Sequence, residues 1–404
     1  MKMKKFLAML KGDKIIWMAV FVLAVLGSIE VYSCTSNLAF QYQGGNMLYY
    51  PMKHLFFVLL GFVMMFVFSW VPYKHHVKYT DILFWVFVAL LGITLLLGPS
   101  TNDARRWFKI PLLDISFQPS DFAKLALVLY LAKMLALAQV EAENRRKYFM
   151  RSLAAIGIVC ALVFPANFST AMLIGLASLG MLFLGNFPTK WILGVVGAGL
   201  VAMLLFVAVV KVTGTHSRLN TWVSRVETFF SDDSSKKTGS DFQARQSLVA
   251  ISQGGFIGKG VGNGPQINVI PHPYSDFIFA SIAHEMGIVF VIIVILAYIV
   301  MFYRCVVIVR DVGTLFPALL VMGLLMNIML QTLSNMFVAI GLMPVTGQPL
   351  PFVSMGGTSL ISTGIALGVI LNVSRYSGKK ETLEEIEQDE SEQEEIVDYP
   401  FMAG

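Results

Sequence analysis

Residues 15–33 read IIWMAVFVLAVLGSIEVYS, an apolar run of 19 residues in which Glu30 is the one charged side chain. An α-helix rises about 1.5 Å per residue, so about 20 apolar residues cross the roughly 30 Å hydrocarbon core of a bilayer. The run follows a basic start and lacks a clear cleavage site of small residues. It therefore predicts a membrane span that stays in the protein rather than a removed signal peptide.

Similar apolar runs recur along the 404-residue chain, of which 56% is hydrophobic and 14% charged, with a mean hydropathy of +0.70. Ordinary soluble domains contain about 25% charged residues, so this composition argues against a soluble globular protein. We predict an all-α polytopic membrane protein with about ten transmembrane helices. The predicted spans lie near residues 15–33, 54–72, 80–98, 119–138, 152–166, 168–186, 190–211, 276–302, 315–341 and 355–373.

Lysine and arginine are distributed unequally between the predicted loops. If the N-terminus is cytoplasmic, seventeen fall in cytoplasmic segments, and four fall in short outer loops, namely Lys53, Arg105, Arg106 and Lys109. The positive-inside rule therefore places both termini in the cytoplasm. The long loop 212–275, between spans 7 and 8, is then extracytoplasmic.

The C-terminal segment differs from the rest of the chain. Residues 381–404 contain ten acidic and no basic side chains, which predicts a disordered tail that either is only a solvated end or recruits a cytoplasmic partner. We therefore divide the chain into a transmembrane domain, 1–379, and a cytoplasmic tail, 380–404. The three cysteines are widely spaced, which predicts buried thiols rather than a zinc site.

The outer loop 212–275 carries two recognisable patterns. Apolar residues from Leu219 to Phe230 recur on one helical stripe, which predicts an amphipathic helix on the membrane surface. Six glycines between Gly254 and Gly264 allow tight turns and close approach of the backbone to a ligand. No strand precedes them, so a nucleotide-binding fingerprint is not indicated.

Ionisable residues inside predicted spans are costly and are therefore candidates for function. Asp121 and Lys124 share a helix face, where they form an ion pair, line a polar cavity, or do both. Glu285 lies inside predicted span 8 and needs a partner, for which Lys124 is one candidate. Glu30 lies near the outer end of span 1, where its carboxylate can reach the interface.

Two features of the outer side indicate a site for an anionic substrate. Arg105, Arg106 and Lys109 form a cationic group suited to phosphate or pyrophosphate, although attraction to anionic lipid headgroups is an alternative. Asp276 lies where the long loop meets span 8. Its carboxylate either caps the helix, accepts a proton from a substrate hydroxyl, or binds a divalent cation.

Five segments of the chain match a known pattern in order: RRW…FQPSDFAK (105–124), FQARQSLVAISQGGFIGKGVGN (242–263), PYSDFIFASIAHEMG (273–287), GLMPVTGQPLPFVSMGGTSLI (341–361) and NVSR (372–375). Together they resemble the SEDS proteins (shape, elongation, division and sporulation), the family of FtsW, RodA and SpoVE. The chain departs from the family pattern at Asp121 and His284, which replace Glu, at Met355, which replaces Tyr, and at Asn167, which replaces Asp.

The resemblance implies a peptidoglycan glycosyltransferase that polymerises lipid II onto polyprenyl-pyrophosphate-linked glycan at the outer face of the bacterial cytoplasmic membrane. It implies that Asp276 is the catalytic residue, as base or as ligand of Mg²⁺ or Mn²⁺, and that no organic cofactor is needed. The segment from Arg106 to Lys124 must then approach Asp276. The expected substrate-binding residues are Arg106, Trp107, Lys109, Lys124, Gln246, Ser247 and Ser354, with Asp121 and Glu285 in a structural polar network.

The resemblance also implies partners and a cellular location. These are a class B penicillin-binding transpeptidase, other membrane proteins of the division machinery and no nucleic acid, with the protein at the division septum. The LPFVSMGGTS segment favours the division branch over an elongation polymerase of the RodA type. Two further hypotheses remain open, a lipid II flippase and a non-catalytic scaffold.

Overall fold

The computed structural model describes residues 10–98, 106–110, 115–213, 239–264, 267 and 269–377, and this part of the chain is almost entirely helical. In it we number twelve α-helices and two strands. They are α1 Lys14–Tyr42, α2 Tyr49–Trp70, α3 Tyr73–Leu97, β1 Phe108–Ile110, β2 Ile115–Phe117, α4 Pro119–Val140, α5 Arg145–Val163, α6 Phe168–Leu184, α7 Thr189–Thr213, α8 Gly239–Gly254, α9 Ile278–Glu285, α10 Ile288–Asp311, α11 Leu315–Ala339 and α12 Thr358–Ser374.

Among the described residues, six helices are long and apolar enough to cross a membrane, namely α1, α2, α3, α4, α10 and α11. Shorter apolar helices are α6, α12 and the first part of α7. Large apolar side chains on the outer helices, such as Met18, Phe21 and Leu97, are more than half exposed, which suits contact with lipid. The chain is therefore an integral membrane protein, and each predicted span except span 8 falls on a single helix. The count of ten spans stays a prediction.

The helix α1 is longer than the predicted span and extends nine residues beyond Ser33 to Tyr42. Glu30 consequently lies inside the bundle and is fully buried. The expectation that its carboxylate reaches the interface is wrong. Instead, Oε1 accepts a hydrogen bond from the thiol of Cys34 at 3.4 Å.

Predicted span 8 is interrupted, so the prediction of one continuous helix over 276–302 is wrong. α9 ends at Glu285 and α10 begins at Ile288, with Gly287 between them at φ +82°. A positive φ is readily adopted by glycine alone, which explains a break at this position. The carbonyls freed by the break accept hydrogen bonds from Lys259 N–H at 3.0 Å and Gly260 N–H at 2.9 Å.

The glycine-rich segment 254–264 approaches this helix break. A Cβ added at Gly254 would lie 1.9 Å from the carbonyl oxygen of Ala283, and one at Gly258 would lie 2.1 Å from that of Glu285. Such distances exclude any side chain at these two positions. The expected close approach therefore exists, but its partner is the backbone of α9.

The connection between α3 and α4 contains a short antiparallel hairpin, which the all-α fold class did not include. Phe108 pairs with Phe117 and Lys109 pairs with Ser116. The hairpin places Arg106 close to the start of α4. The predicted surface helix 219–230 and the tail 380–404 lie outside the described residues.

The centre of the bundle is formed by α4 and α11, whose most apolar 18-residue stretches are 61% and 72% buried. α4 packs against α3, α5 and α11, while α2 packs along α12 and α1 packs along α10. The contact of α2 with α12 depends on glycine, because a Cβ at Gly364 would lie 2.3 Å from the carbonyl oxygen of Gly61.

Candidate active site

A cavity of about 330 Å³ lies where the hairpin meets the beginning of α4. Its wall contains predicted site residues from three separate parts of the chain, namely Arg106 with Trp107, Asp121 and Asp276. The expected approach of the hairpin segment to Asp276 is therefore observed. The wall also includes Lys53, His54, Asn167, Gln348, Pro349 and Gly357.

The main chain at Asp276 is held from the opposite side of the cavity. Three consecutive carbonyl groups, those of residues 274–276, each accept a hydrogen bond from a different donor. The donors are the N–H of Met355, the hydroxyl of Ser354 and the side-chain amide of Asn335, at 2.9, 2.6 and 3.0 Å. The main chain that carries the Asp276 carboxylate is therefore held by α11 and by the segment between α11 and α12.

Asp276 lies two residues before α9, which begins at Ile278 with Phe277 as its N-cap residue. That its carboxylate caps this helix stays one of the alternatives. Asp276 is half-buried, and its Oδ2 would lie 3.6 Å from a Cβ at Gly347, a residue with φ +66°. The absence of a side chain at Gly347 keeps space open beside the carboxylate.

Tyr274 lines the cavity close to Asp276. Burial, and to a lesser degree the negative charge of Asp276, raise the pKa of the Tyr274 phenol above its ordinary value. Because the ordinary pKa of tyrosine is about 10, the hydroxyl stays protonated at neutral pH and can donate a hydrogen bond. Its oxygen lies 3.2 Å from Nδ1 of His272.

Arg106 lies on the hairpin side of the cavity. Its Nε donates a hydrogen bond to the carbonyl of Ala166. The next residue, Asn167, caps α6 by accepting the N–H of Thr170 at 3.3 Å. Asparagine therefore serves as a helix cap at the position where the family pattern has an acid. Together with Lys53, the anchored Arg106 gives this wall a positive charge suited to an anion.

The predicted ion pair on α4 is present, with Lys124 Nζ 3.4 Å from Asp121 Oδ1 and both side chains about nine-tenths buried. Lys124 also donates to Oε1 of Gln331 at 3.0 Å, and Gln331 Nε2 donates to the carbonyl of Pro349 at 2.8 Å. Asp121 faces the cavity, and Lys124 connects α4 to the segment that holds Asp276.

Two amide side chains of α11, Gln331 and Asn335, are missing from the predicted site. Both are buried, and Asn335 Nδ2 donates to the carbonyl of Gln348 at 2.8 Å as well as to that of Asp276. A signal for them exists in the sequence. An amide within an apolar span is costly unless it is hydrogen-bonded, so such residues indicate an internal polar network.

Glu285 belongs to a different polar contact. Its Oε1 accepts hydrogen bonds from the Ser33 hydroxyl at 2.7 Å and from the Gly262 N–H at 3.1 Å. Lys124, the one candidate partner considered for Glu285, contacts Asp121 and Gln331 instead. Glu285 instead joins α1 to the glycine-rich segment.

Three other predicted substrate-binding residues, Gln246, Ser247 and Ser354, are not part of the wall of this cavity. Gln246 and Ser247 are on α8, which packs against α9 and α11. Ser247 is fully buried and donates to the carbonyl of Ala339 at 2.6 Å, and the Ser354 hydroxyl is occupied by main-chain contacts. Lys109 lies in β1, and its side chain is outside the described part of the structure.

A divalent cation at Asp276 would have few protein ligands. Within the described residues, no group of three or more His, Cys, Asp or Glu side chains could hold a metal ion. Mg²⁺ commonly binds through one or two carboxylates and completes its octahedron with water and substrate phosphates. Asp276 would then be the protein ligand of a cation that arrives with a pyrophosphate, because Asp121 is already paired with Lys124.

The fold and the site define a polytopic helical membrane protein with a polar cavity in which an aspartate faces an arginine. Comparison of the sequence with known protein families identifies the family to which the chain belongs. The family described as Cell cycle protein, which comprises FtsW, RodA and SpoVE, matches residues 13–379. The chain belongs to this family.

Relatives and solved structures agree with this assignment. The chain is 30% identical over 368 residues to the probable peptidoglycan glycosyltransferase FtsW of Coxiella burnetii, covering 89% of this chain and 95% of the relative. It is also 30% identical to stage V sporulation protein E of Bacillus subtilis, covering 90% and 97%. A chain of a peptidoglycan synthase complex is 24% identical, with a TM-score of 0.69 and coverage of 90% and 98%. Thermus thermophilus RodA is also 24% identical, with a TM-score of 0.64 and coverage of 91% and 98%.

Proposed function

We propose that this protein is a peptidoglycan glycosyltransferase that polymerises lipid II at the outer face of the bacterial cytoplasmic membrane. The observation that carries the proposal is the cavity in which Asp276 shares a wall with Arg106 and Lys53. A carboxylate and two cationic side chains in one cavity suit a reaction in which a hydroxyl loses a proton and a pyrophosphate leaves.

In the proposed reaction, the 4-hydroxyl of the GlcNAc of lipid II attacks the anomeric carbon of the growing, lipid-linked strand. A new glycosidic C–O bond forms while the bond from the anomeric carbon to the pyrophosphate oxygen breaks. Asp276 accepts the hydroxyl proton, and polyprenyl pyrophosphate leaves with the electron pair. Arg106 and Lys53 offset the charge on the pyrophosphate, and Tyr274 donates a hydrogen bond.

The remaining residues of the cavity hold this arrangement in place. Asn335 and Ser354 fix the main chain at Asp276, and the pair of Asp121 with Lys124 fixes the adjacent wall. Mg²⁺ or Mn²⁺ bound at Asp276 would supply further positive charge to the leaving pyrophosphate. We assign the protein to septal synthesis, because relatives named FtsW match along nearly the whole chain.

The proposed partner is a class B penicillin-binding transpeptidase in the same membrane, working with other membrane proteins of cell division. This proposal is supported by the likeness to a chain from a structure titled as coordinating polymerization and crosslinking in a peptidoglycan synthase complex. Crosslinking consumes the strands that a polymerase releases, so the two activities are chemically consecutive.

The test is a strand-synthesis assay with purified protein, its transpeptidase partner and lipid II, with and without Mg²⁺ or Mn²⁺. Asp276→Asn should lower the rate by about 10²–10⁴-fold, the usual contribution of a general base. Asp81→Asn is the matched control, since Asp81 pairs with Lys133 on α4 and its side chain is 50% exposed. The control should retain normal synthesis.

Three outcomes would contradict the proposal. Normal strand synthesis by Asp276→Asn would remove the catalytic assignment. Transfer of labelled lipid II across vesicle membranes without strand formation would instead support a flippase. Cells that grow and divide normally on Asp276→Asn, with the partner correctly recruited, would indicate a scaffold.

A further inference from the structure

A second cavity, of about 720 Å³, lies between the beginning of α1, the end of α10 and the end of α12. Four basic residues line it, and we call it the basic cleft: Lys11, Lys14, Arg304 and Arg375. It is far from the candidate active site. α12 begins beside that site at Thr358 and reaches the basic cleft at Ser374, a distance of about 25 Å along a 17-residue helix.

The acidic residues at the basic cleft do not neutralise it. Asp13 accepts a hydrogen bond from Arg304 Nε at 2.7 Å and also caps α1 through the N–H groups of Ile15 and Ile16. Asp311 pairs with Arg310, at 3.3 Å. In the part of the chain that the structure describes, Lys11, Lys14 and Arg375 therefore have no carboxylate partner.

Two of these cations lie close enough to repel each other. Removal from water, and then the positive charge of Arg375, lower the pKa of the Lys11 ammonium group. Arg375 itself is oriented by a hydrogen bond from Nη1 to the carbonyl of Ser69 at 3.2 Å. An anion that binds between two neighbouring cations relieves their repulsion, so its binding is favourable where no carboxylate already does so.

The surroundings of the basic cleft indicate that this anion is part of a lipid. The Lys11 ammonium group lies 3.3 Å from the centre of the Trp70 ring, at the end of α2, and Trp70 is 43% exposed. Exposed tryptophan at the end of a membrane helix marks the level of the lipid headgroups. The apolar side chains of Ile15 and Val307 also line the cleft, which suits the upper part of an acyl chain.

We propose that the basic cleft binds the phosphate headgroup of an anionic phospholipid. The bound lipid belongs to the leaflet on the side of Arg304 and Arg375, which the distribution of basic residues predicts to be cytoplasmic. Its phosphate is bound by Lys11, Lys14 and Arg375. The lipid ties the beginning of α1 to the ends of α10 and α12. The proposal does not depend on the proposed function of the Asp276 cavity.

The experiment measures thermal unfolding of the purified full chain in detergent with added phosphatidylglycerol, phosphatidylcholine or inorganic phosphate. Phosphatidylglycerol should raise the midpoint temperature in a saturable way, and the other two should not. A single Lys11→Gln or Arg375→Gln variant should need about fivefold more phosphatidylglycerol for half of the effect, and the double variant about 20-fold more. Lys190→Gln is the control, because Lys190 is an exposed lysine at the start of α7 and outside the cleft.

The proposal is overturned if the single variants respond to phosphatidylglycerol like the wild type, or if phosphatidylcholine protects equally well. Protection by inorganic phosphate alone, lost in Lys11→Gln, would assign the cleft to a soluble phosphate compound instead of a lipid. If the double variant does not fold, the two single variants decide the question. Strand synthesis by the same preparations is a separate readout, so failure here leaves the Asp276 test unaffected.

Discussion

Replacing Asn335 with alanine should test whether the polar network of α11 positions the catalytic carboxylate. Asn335 is 1% exposed, and its amide donates to the carbonyls of Asp276 at 3.0 Å and Gln348 at 2.8 Å. The Asn335→Ala variant leaves both carbonyls without this donor. Asn335 is a positioning residue, since its partners are main-chain groups rather than substrate.

The cost can be worked out from these two contacts. The carbonyl of Asp276 borders the cavity, where water can replace the lost donor, so we assign it about 1 kcal/mol. The buried Gln348 contact should cost about 2 kcal/mol, because water has less access there. The free energy of unfolding should therefore fall by about 3 kcal/mol. A displacement of the carboxylate approaching 1 Å should also lower kcat by about 100-fold.

The assay compares Asn335→Ala with Asn327→Ala, measuring thermal unfolding and the kinetics of strand synthesis on lipid II. Asn327 lies on the same helix and donates only within it, to the carbonyl of Gly323 at 3.1 Å, so its loss should cost less than about 1 kcal/mol. KM should change little in either variant, because Arg106 and Lys53 are unaltered. If Asn335→Ala loses stability but keeps kcat within about twofold of the wild type, the positioning argument is refuted.

The remaining predictions concern the residues around the carboxylate and the buried ion pair. Gly347→Ala should reduce strand synthesis at least about tenfold, because the new methyl group occupies space 3.6 Å from Asp276 Oδ2. Gly44→Ala should impose a similar backbone strain of about 1–2 kcal/mol, at φ +58° with open space around it, and leave the activity normal. Lys124→Met should lower the free energy of unfolding by about 3–5 kcal/mol, because it leaves the Asp121 carboxylate buried and unpaired.

Each of these predictions has a distinct contradicting result. Equal activity of Gly347→Ala and Gly44→Ala would show that the space beside the carboxylate is unimportant. For the ion pair, thermal unfolding of the double variant Asp121→Asn with Lys124→Met is decisive. Removing both charges should restore much of the lost stability, and a double variant no more stable than Lys124→Met alone would refute the explanation.

Much of the membrane architecture could be predicted because it depends on local composition. An apolar run such as 15–33 is buried in lipid whatever its neighbours are, and each predicted run lies on a helix except 276–302, which is divided between two. The pair of Asp121 with Lys124 could be predicted for the same reason, since residues three apart share one face of a helix. The resemblance of the PYSDFIFA segment to the family pattern singled out Asp276.

The partners of buried polar groups could not be predicted, because they come from distant parts of the chain. Lys124 was one candidate partner for Glu285, yet the contacts of Glu285 are with Ser33 and Gly262. The break at Gly287 depends on backbone donors of the segment 254–264, which replace the helical hydrogen bonds lost there. Periodicity within one span contains no information about either contact.

The membrane location of this chain, the helical form of its spans and the aspartate at 276 could all be recognised from the order of the amino acids. Hydrophobic run length and charge distribution are properties of consecutive residues, and burial in lipid acts on them directly. The shared cavity of Arg106, Lys53 and Asp276, and the contact by which Asn335 holds the main chain of the aspartate, became visible in the folded chain. Those contacts join residues many positions apart, and the packing of whole helices is what brings them together.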